Sequence, residues 1–444
     1  MSSDATATET VRGGAVLAGL TFIYCWVTLT PFKDLGPAMS RVSEDAGSNT
    51  LNQIVAALLF GSALLIGTQA RFRDMLLKPR WLLVALFGWL VVVSVLGGDP
   101  SFSLRRVVLA LLIAIGANVF LLLPRSEEQF ARILTVCSFI VLGLCYGGVL
   151  LLPRLAIHQG TDFLEPMLAG DWRGMFDHKN GAAPAMVILI FIGLFIATRR
   201  SRLAGYAIVV LAAVFLWNAG GKTALGMFPL VIIAAWLLER VGRFLRPLIV
   251  IATAGGYSLL TLGTVIWEPV RQLVVQFGVD DTFTGRTDIW PIALAGIKAE
   301  PLFGYGYDRF WGTENLVYGF REEATWAVTA PSAHNSYLDI ALVGGWIGLA
   351  MALVWLVVLP TRDLSLAIER GGRSALTRLY TRIWVFCLLI GSMESFFLAT
   401  NGGVWFTMMV AVFGLRLQAQ AQKRSAYPEK ANRSAGFSPG PVTA

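Results

Sequence analysis

The sequence predicts an all-α, polytopic integral membrane protein of about twelve spanning helices with one large outer loop. Three observations carry this. Of 444 residues, 56% are apolar and only 14% charged, against about 25% charged in a soluble domain. The apolar residues gather into runs near the length of about 20 that crosses a bilayer core. The runs are uniformly apolar and do not alternate, so helices are expected and barrel strands are excluded.

Taken in order, the runs are 13–31, 51–68, 81–97, 104–123, 133–152, 181–198, 203–219, 223–238, 247–266, 334–359, 383–400 and 403–417. Residues 13–266 therefore form a nine-helix bundle, 267–333 a large outer loop, and 334–417 three further helices. Residues 1–12 and 418–444 are polar ends. The first twelve residues lead into a segment long enough to span, so no cleaved signal peptide is expected. The tail "AQAQKRSAYPEKANRSAGFSPGPVTA" has few large apolar residues and is expected to be disordered.

Charge sets the orientation. With the N-terminus inside, 23 of the 36 Lys and Arg fall on inner ends and loops, and 13 on outer ones. Short loops such as "ATRRSR" and "ERVGRFLR" weigh most, and the bias places both termini in the cytoplasm. The net charge of +8 is thus a topogenic signal, with membrane-lipid contact second; it does not point to nucleic acid. All four cysteines (Cys25, Cys137, Cys145, Cys387) lie in apolar runs. Cys137 and Cys145, eight apart on one helix, are separated by about 12 Å along its axis. No disulfide and no metal site is expected.

This topology puts all three histidines outside. In "APSAHNSYLDIALVGGWIGL", His334 and Asn335 stand where the large loop enters a span, with Ser332 a plausible N-cap. The free N–H groups of a first helical turn suit an anion. The same dipole disfavours imidazolium, leaving the neutral ring a general base needs; the bland alternative is a polar residue marking the interface. "GMFDHKNGAAPAM" repeats the arrangement with His178, Lys179 and Asn180. "NAGGKTALGM" places Lys222 at a third outer helix start. It is not a nucleotide P-loop, which needs glycine where Leu216 stands. "SFSLRRVVLA" adds Arg105 and Arg106. In the large loop, Arg286 opens a segment whose Ile289, Ile292, Leu294 and Ile297 suit a short surface helix capped by Thr284 or Thr287. Tyr305 and Tyr307 in "FGYGYDRFW" are either interface anchors or platforms for sugar rings. Glu394, inside the eleventh run, is a costly charge and so a functional candidate, unless it pairs with a neighbouring helix. His158 sits in surroundings that suggest no role.

Basic groups and histidines at several outer helix starts suit a phosphate or diphosphate. These are also the residues that resemble a known family. "GRTDIWPIAL…PLFGYGYDRF…HNSYLDIALVGGWIGL" is similar to the large loop and following helix of the O-antigen ligase/polymerase superfamily. "FDHKNGAA" resembles that family's segment before a mid-chain helix, and "SLRR" looks more like its exopolysaccharide polymerase branch. The likeness covers roughly residues 80–415. It implies a GT-C-like bundle in the bacterial inner membrane, acting without a cofactor on undecaprenyl-diphosphate-linked glycan as donor and acceptor. It further implies flippase and chain-length or export partners. By the resemblance, Arg286 and the basic residue at 222 hold the diphosphate, with Arg105 and Arg106 in support, and His334 assists glycosyl transfer. The substrate-contacting set would add His178, Asn180, Asn335, Tyr305, Tyr307 and Glu394. The family usually has arginine where Lys222 stands, which loses the bidentate fork. The expected function is polymerisation of lipid-linked repeat units by metal-independent, inverting transfer. A ligase delivering finished chains to lipid A core is the alternative. A transporter of anionic or lipid-linked sugars is disfavoured by the scarcity of polar groups at mid-membrane.

Overall fold

The computed structural model describes residues 2–27, 31–34, 50–70, 72–162, 165–313, 316, 326–399 and 402–426. The expected tail beyond 426 lies outside the described residues. Helices carry the fold, with one isolated bridge, Ile157–Trp172, among the described residues. In chain order they are α1 (Ser2–Val27), α2 (Thr50–Gly67), α3 (Trp81–Leu96), α4 (Pro100–Leu122), α5 (Glu127–Leu151), α6 (Lys179–Arg199), α7 (Arg202–Asn218), α8 (Lys222–Arg240) and α9 (Arg246–Ile266). Then follow α10 (Glu268–Gln276), α11 (Arg286–Ala299), α12 (Ser336–Gly371), α13 (Ala375–Ile390) and α14 (Gly403–Ala426).

Local chemistry starts many of these. Asp99 caps α4 by accepting from Phe102 N–H, with Pro100 in the first turn, where its missing N–H costs nothing. Ser126, Ser201 and Ser374 cap α5, α7 and α13 in the same way. Among the described residues, α4, α5, α6, α8, α9 and α12 are long and apolar enough to cross a membrane. Shorter apolar helices occupy 13–27, 54–67, 81–96 and 202–218. Exposed Leu65, Leu96, Val108, Leu150, Val210 and Ile233 cover outward faces, as lipid-facing helices require. The protein is an all-α integral membrane protein.

α6 is the hub: residues 182–193 are buried without interruption. α12 and α14 pack through Trp355 and Trp405, edge-to-face at 6.1 Å, and α13 joins them through Trp384. Trp384 Nε1 donates to Leu356 O (2.7 Å), so this buried indole is satisfied.

Two features of the last third differ from expectation. The eleventh run was expected to be helical over 383–400, but α13 stops at Ile390 and residues 391–399 leave the helix. α14 runs to Ala426, past the expected limit of 417. α12 is itself interrupted at Gly345 (φ 65°, ψ −168°), which frees backbone groups. The "PLFGYGY" loop takes them up. Tyr305 and Gly306 N–H donate to Leu342 O (2.8 Å) and Val343 O (3.0 Å), and Trp346 N–H donates to Pro301 O (2.8 Å). A Cβ on Gly345 would stand 2.1 Å from Leu302 O, and one on Gly304 2.5 Å from Leu342 O. Only glycine permits this approach and these positive φ values. The spaced glycines of loop and helix are one docking device.

Candidate active site

The start of α12 is built by two separate stretches of chain. Asn335, not Ser332, is the N-cap: its Oδ1 accepts from Tyr337 N–H (3.0 Å) and Leu338 N–H (3.2 Å). Its Nδ2 donates to Ser392 O (3.1 Å). Asn335 is buried and its side chain serves the cap at both ends, so its first role is capping rather than the substrate contact expected of it. The 391–399 segment wraps this end. Ser336 N–H donates to Gly391 O (2.7 Å), Ser336 Oγ donates to Glu394 O (2.7 Å), and Asn335 N–H donates to Ser395 Oγ (3.0 Å). Half-buried Asp339 accepts from Ala333 N–H (3.0 Å), Trp311 Nε1 (2.9 Å) and Ser395 Oγ.

His334 precedes the cap in a left-handed conformation (φ 47°). Such a backbone is uncommon outside glycine and is a feature of functional sites. Its ring is partly exposed, with Nδ1 3.4 Å from Glu394 Oε2. Glu394 lies in the loop after α13, not within a span, and its Oε1 pairs with Arg286 Nη2 at 2.5 Å. Arg286, the first residue of α11, also donates to Met393 O (2.8 Å) and Phe283 O (3.0 Å). Arg286, Glu394 and His334 thus form a chain of contacts. With Nδ1 turned to a carboxylate, the imidazole presents Nε2 outward. α11 packs Ile289, Ile292 and Ile297 inward as expected. Its N-cap is Gly285 (φ 80°), without a side-chain cap; Thr287 Oγ1 instead donates to Thr282 O (3.2 Å).

A cavity of about 380 Å³ opens behind the His334 loop, lined by Arg106, Asp308, Arg309, Trp311, Ser332 and Ser395 among others. Arg106 Nε lies 3.4 Å from Asp308 Oδ2. Tyr307 also borders it, but its ring is buried and its hydroxyl donates to Leu398 O, so it offers no free face to a sugar. Tyr305 is half-buried, donates to Gly296 O (3.1 Å) and packs on Phe310 at 5.0 Å. Both tyrosines act first as internal ties. Arg105 is exposed and outside the cavity lining. Lys222 is exposed at the start of α8. Its charge reaches Asp280, whose carboxyl is held low chiefly by hydrogen bonds from Thr282.

The loop between α5 and α6 holds a second constellation. His178 is the N-cap of α6: its Nδ1 accepts from Asn180 N–H (3.1 Å), so Nε2 carries the proton and donates to Glu165 Oε2 (2.7 Å). His158 is buried; its Nε2 accepts from Lys179 N–H (3.3 Å), leaving Nδ1–H for Asp162 Oδ2 (3.1 Å). The rings meet at 4.8 Å. Two neutral histidines therefore cap the first two N–H groups of α6. Burial, first, pushes His158 below its ordinary pKa. The hydrogen bond from His178 is the first cause that lowers that of Glu165, against its own burial. Sequence reasoning gave His158 no role and missed Asp162, Glu165 and Asp339. The four-residue spacing of His158 and Asp162 was the available signal. For Glu165 and Asp339 only the carboxylate beside a histidine-bearing segment could have pointed to them.

The structure therefore joins His334, Arg286 and Glu394, sets Arg106 on an adjoining cavity, and leaves Arg105 apart. Against this geometry stands the comparison with known proteins. Residues 179–353 match the O-antigen ligase family. The matched stretch begins at the residue capped by His158 and holds Lys222, Arg286 and His334. Over 119 residues the chain is 29% identical to the exopolysaccharide production protein ExoQ of Rhizobium meliloti (strain 1021). That alignment covers 25% of this chain and 26% of the relative, so the chain spans about a quarter of the length of the curated relative it matches. The resemblance to the O-antigen ligase/polymerase superfamily, in its exopolysaccharide branch, holds.

Proposed function

We propose that this protein polymerises undecaprenyl-diphosphate-linked oligosaccharide repeat units into exopolysaccharide or O-antigen at the periplasmic face of the inner membrane. The observation that carries the reading is the Arg286–Glu394–His334 chain, with Arg286 and His334 inside the family match. It has the logic of an oriented base: a carboxylate holds the imidazole and a cation holds the carboxylate. The acceptor sugar hydroxyl approaches His334 Nε2. As its oxygen bonds to the anomeric carbon of the donor, its proton passes to Nε2 and the carbon–oxygen bond to diphosphate breaks. The imidazolium so formed is stabilised by Glu394. One displacement inverts the anomeric centre. The departing diphosphate is an anion that positioned cations stabilise; Lys222 and Arg286 supply that charge, with Arg106 on the adjoining cavity. Arg286 is neutralised by Glu394 at rest. Its release as Glu394 turns to the imidazolium couples proton transfer to leaving-group stabilisation.

Both termini lie in the cytoplasm in this reading. A flippase delivers substrate outward, and chain-length or export partners take product. The description of the family as O-antigen ligase favours a second reading, transfer of finished chains to lipid A core. Glycans on the lipid carrier, in cells lacking the protein, decide between them. Single repeat units without long chains support polymerisation. Long chains retained on the carrier support ligation, and normal glycans at every stage overturn both. His334→Ala should reproduce the deletion while inserting at wild-type level.

A further inference from the structure

The cavity behind the His334 loop, about 380 Å³, falls within the range of about 300–1,000 Å³ common for small-ligand sites. It shares a wall with the site at His334. Ser332 and Ser336 line it; Ser332 Oγ accepts from His334 N–H (3.3 Å), and Ser336 Oγ donates to Glu394 O (2.7 Å). His334, Arg286 and Glu394 themselves stand outside the lining. The cavity is therefore a neighbouring chamber and not the reacting centre. Its walls are tied together. Ser103 Oγ donates to Tyr307 O (2.9 Å), joining α4 to the loop of residues 304–311. Tyr305 and Gly306 N–H hold that loop to α12, and Trp311 Nε1 donates to Asp339. A preformed wall spares a ligand the cost of ordering it.

The charges of the lining balance, Arg106 and Arg309 against Asp308 and Asp339. Asp339 is committed to Ala333, Trp311 and Ser395. Asp308 is not: its side chain is 49% exposed, and its Oδ2 lies 3.4 Å from Arg106 Nε, beyond the roughly 2.7–2.9 Å of a closed charge-assisted bond. An acceptor thus stands beside a donor at the cavity wall, with partly exposed Trp311 and Phe396 as apolar surface.

We propose that this cavity is a saccharide subsite, holding one neutral sugar ring of the lipid-linked glycan away from the bond being made, with one hydroxyl donating to Asp308 and its neighbour on the ring accepting from Arg106. That the sugar belongs to this glycan rests on the glycosyl-transfer reading above. Two adjacent hydroxyls are donor and acceptor at once, which matches the pair, and the C–H faces of the ring suit Trp311 and Phe396. An acidic ring would meet the like charge of Asp308.

The test uses the full-length protein in lipid nanodiscs and the repeat-unit oligosaccharide released from its lipid carrier by mild acid. Equilibrium binding of this oligosaccharide is measured for wild type, Asp308→Asn and Ala399→Trp, with elongation of the intact lipid-linked unit alongside. Asp308 has φ 53°, a conformation asparagine also adopts, so Asp308→Asn should unfold at the wild-type temperature. It should bind about 10- to 100-fold more weakly, the range of one hydrogen bond to a charged group, and elongate with raised KM and nearly unchanged kcat. Ala399→Trp, which places an indole in the lining, should abolish binding. Affinity within twofold of wild type in either variant overturns the proposal. So does a loss of binding in Asp308→Asn that follows a loss of folded protein. Displacement of the oligosaccharide by inorganic pyrophosphate overturns it too, and makes the cavity a diphosphate site. Wild type that elongates without binding the released oligosaccharide overturns the subsite alone. Wild type that binds it but elongates nothing overturns the glycosyl-transfer reading and leaves the cavity a saccharide site.

Discussion

Replacing Glu394 by alanine isolates the central ion pair. The side chains of Arg286 and Glu394 are 8% and 14% exposed, so solvent screening discounts little of the pair. Removing the carboxylate leaves a buried guanidinium with its bonds to Met393 O and Phe283 O but no counter-charge. Breaking a buried pair from one side costs about 3–5 kcal/mol, whereas replacing both members by apolar groups is often near neutral. Glu394→Ala should therefore destabilise by about 3–5 kcal/mol. The double variant Arg286→Met, Glu394→Ala should regain most of that and remain inactive. Reversible unfolding in mixed micelles gives the stabilities, and the elongation assay gives activity. A single-variant cost under about 1 kcal/mol, the level of a surface pair, would refute a desolvated Arg286. Full activity in the double variant would refute the role given to the pair.

Gly345→Ala must adopt φ 65° and meet Leu302 O; it should cost more than about 2 kcal/mol in thermal unfolding. Gly344→Ala, whose Cβ stands 3.4 Å from Trp89 Nε1, should be nearly silent. Asn335→Ala loses the α12 cap and should cost about 1–2 kcal/mol, read in the same unfolding measurement. The buried His158 cap makes stability depend on pH. His158 is held below the ordinary 6.5 chiefly by burial, so the unfolded chain binds its proton first on acidification. The contribution is therefore full above pH 6.5 and fades below it. The lowered Glu165 adds a loss below its ordinary 4.5. Tm should fall on acidification from about pH 7.5 to about pH 5, and His158→Gln, which can still accept from Lys179 N–H, should flatten that slope. A Tm that rises on acidification would contradict the neutral-cap assignment.

The helices and the neighbourhood of the candidate site were legible because apolar run length and cations at helix starts are local signals. The departures have one physical origin. Hydropathy carries the eleventh run through Glu394, but the segment after Ile390 spends its backbone on the start of α12, 55 to 60 residues earlier in the chain. No window around residue 394 contains those partners. The cap of α12 moved from Ser332 to Asn335 for the same reason, since Ser392 and Ser395 hold Asn335 from outside its own segment. Tyr307 reads as an aromatic platform in isolation and is an internal strut once Leu398 is beside it.

The break at Gly345 bears on biosynthesis. Lipid offers no partner to a bare carbonyl, and Leu342 O and Val343 O are satisfied by residues 305 and 306 of the preceding loop. α12 is therefore not an autonomous insertion unit. The loop leaves the ribosome before the helix that needs it. The order of the genetic message thus matches the order in which the hydrogen bonds must close. A circular permutant that moved the loop behind the helix would keep every contact of the finished protein and lose the route to it.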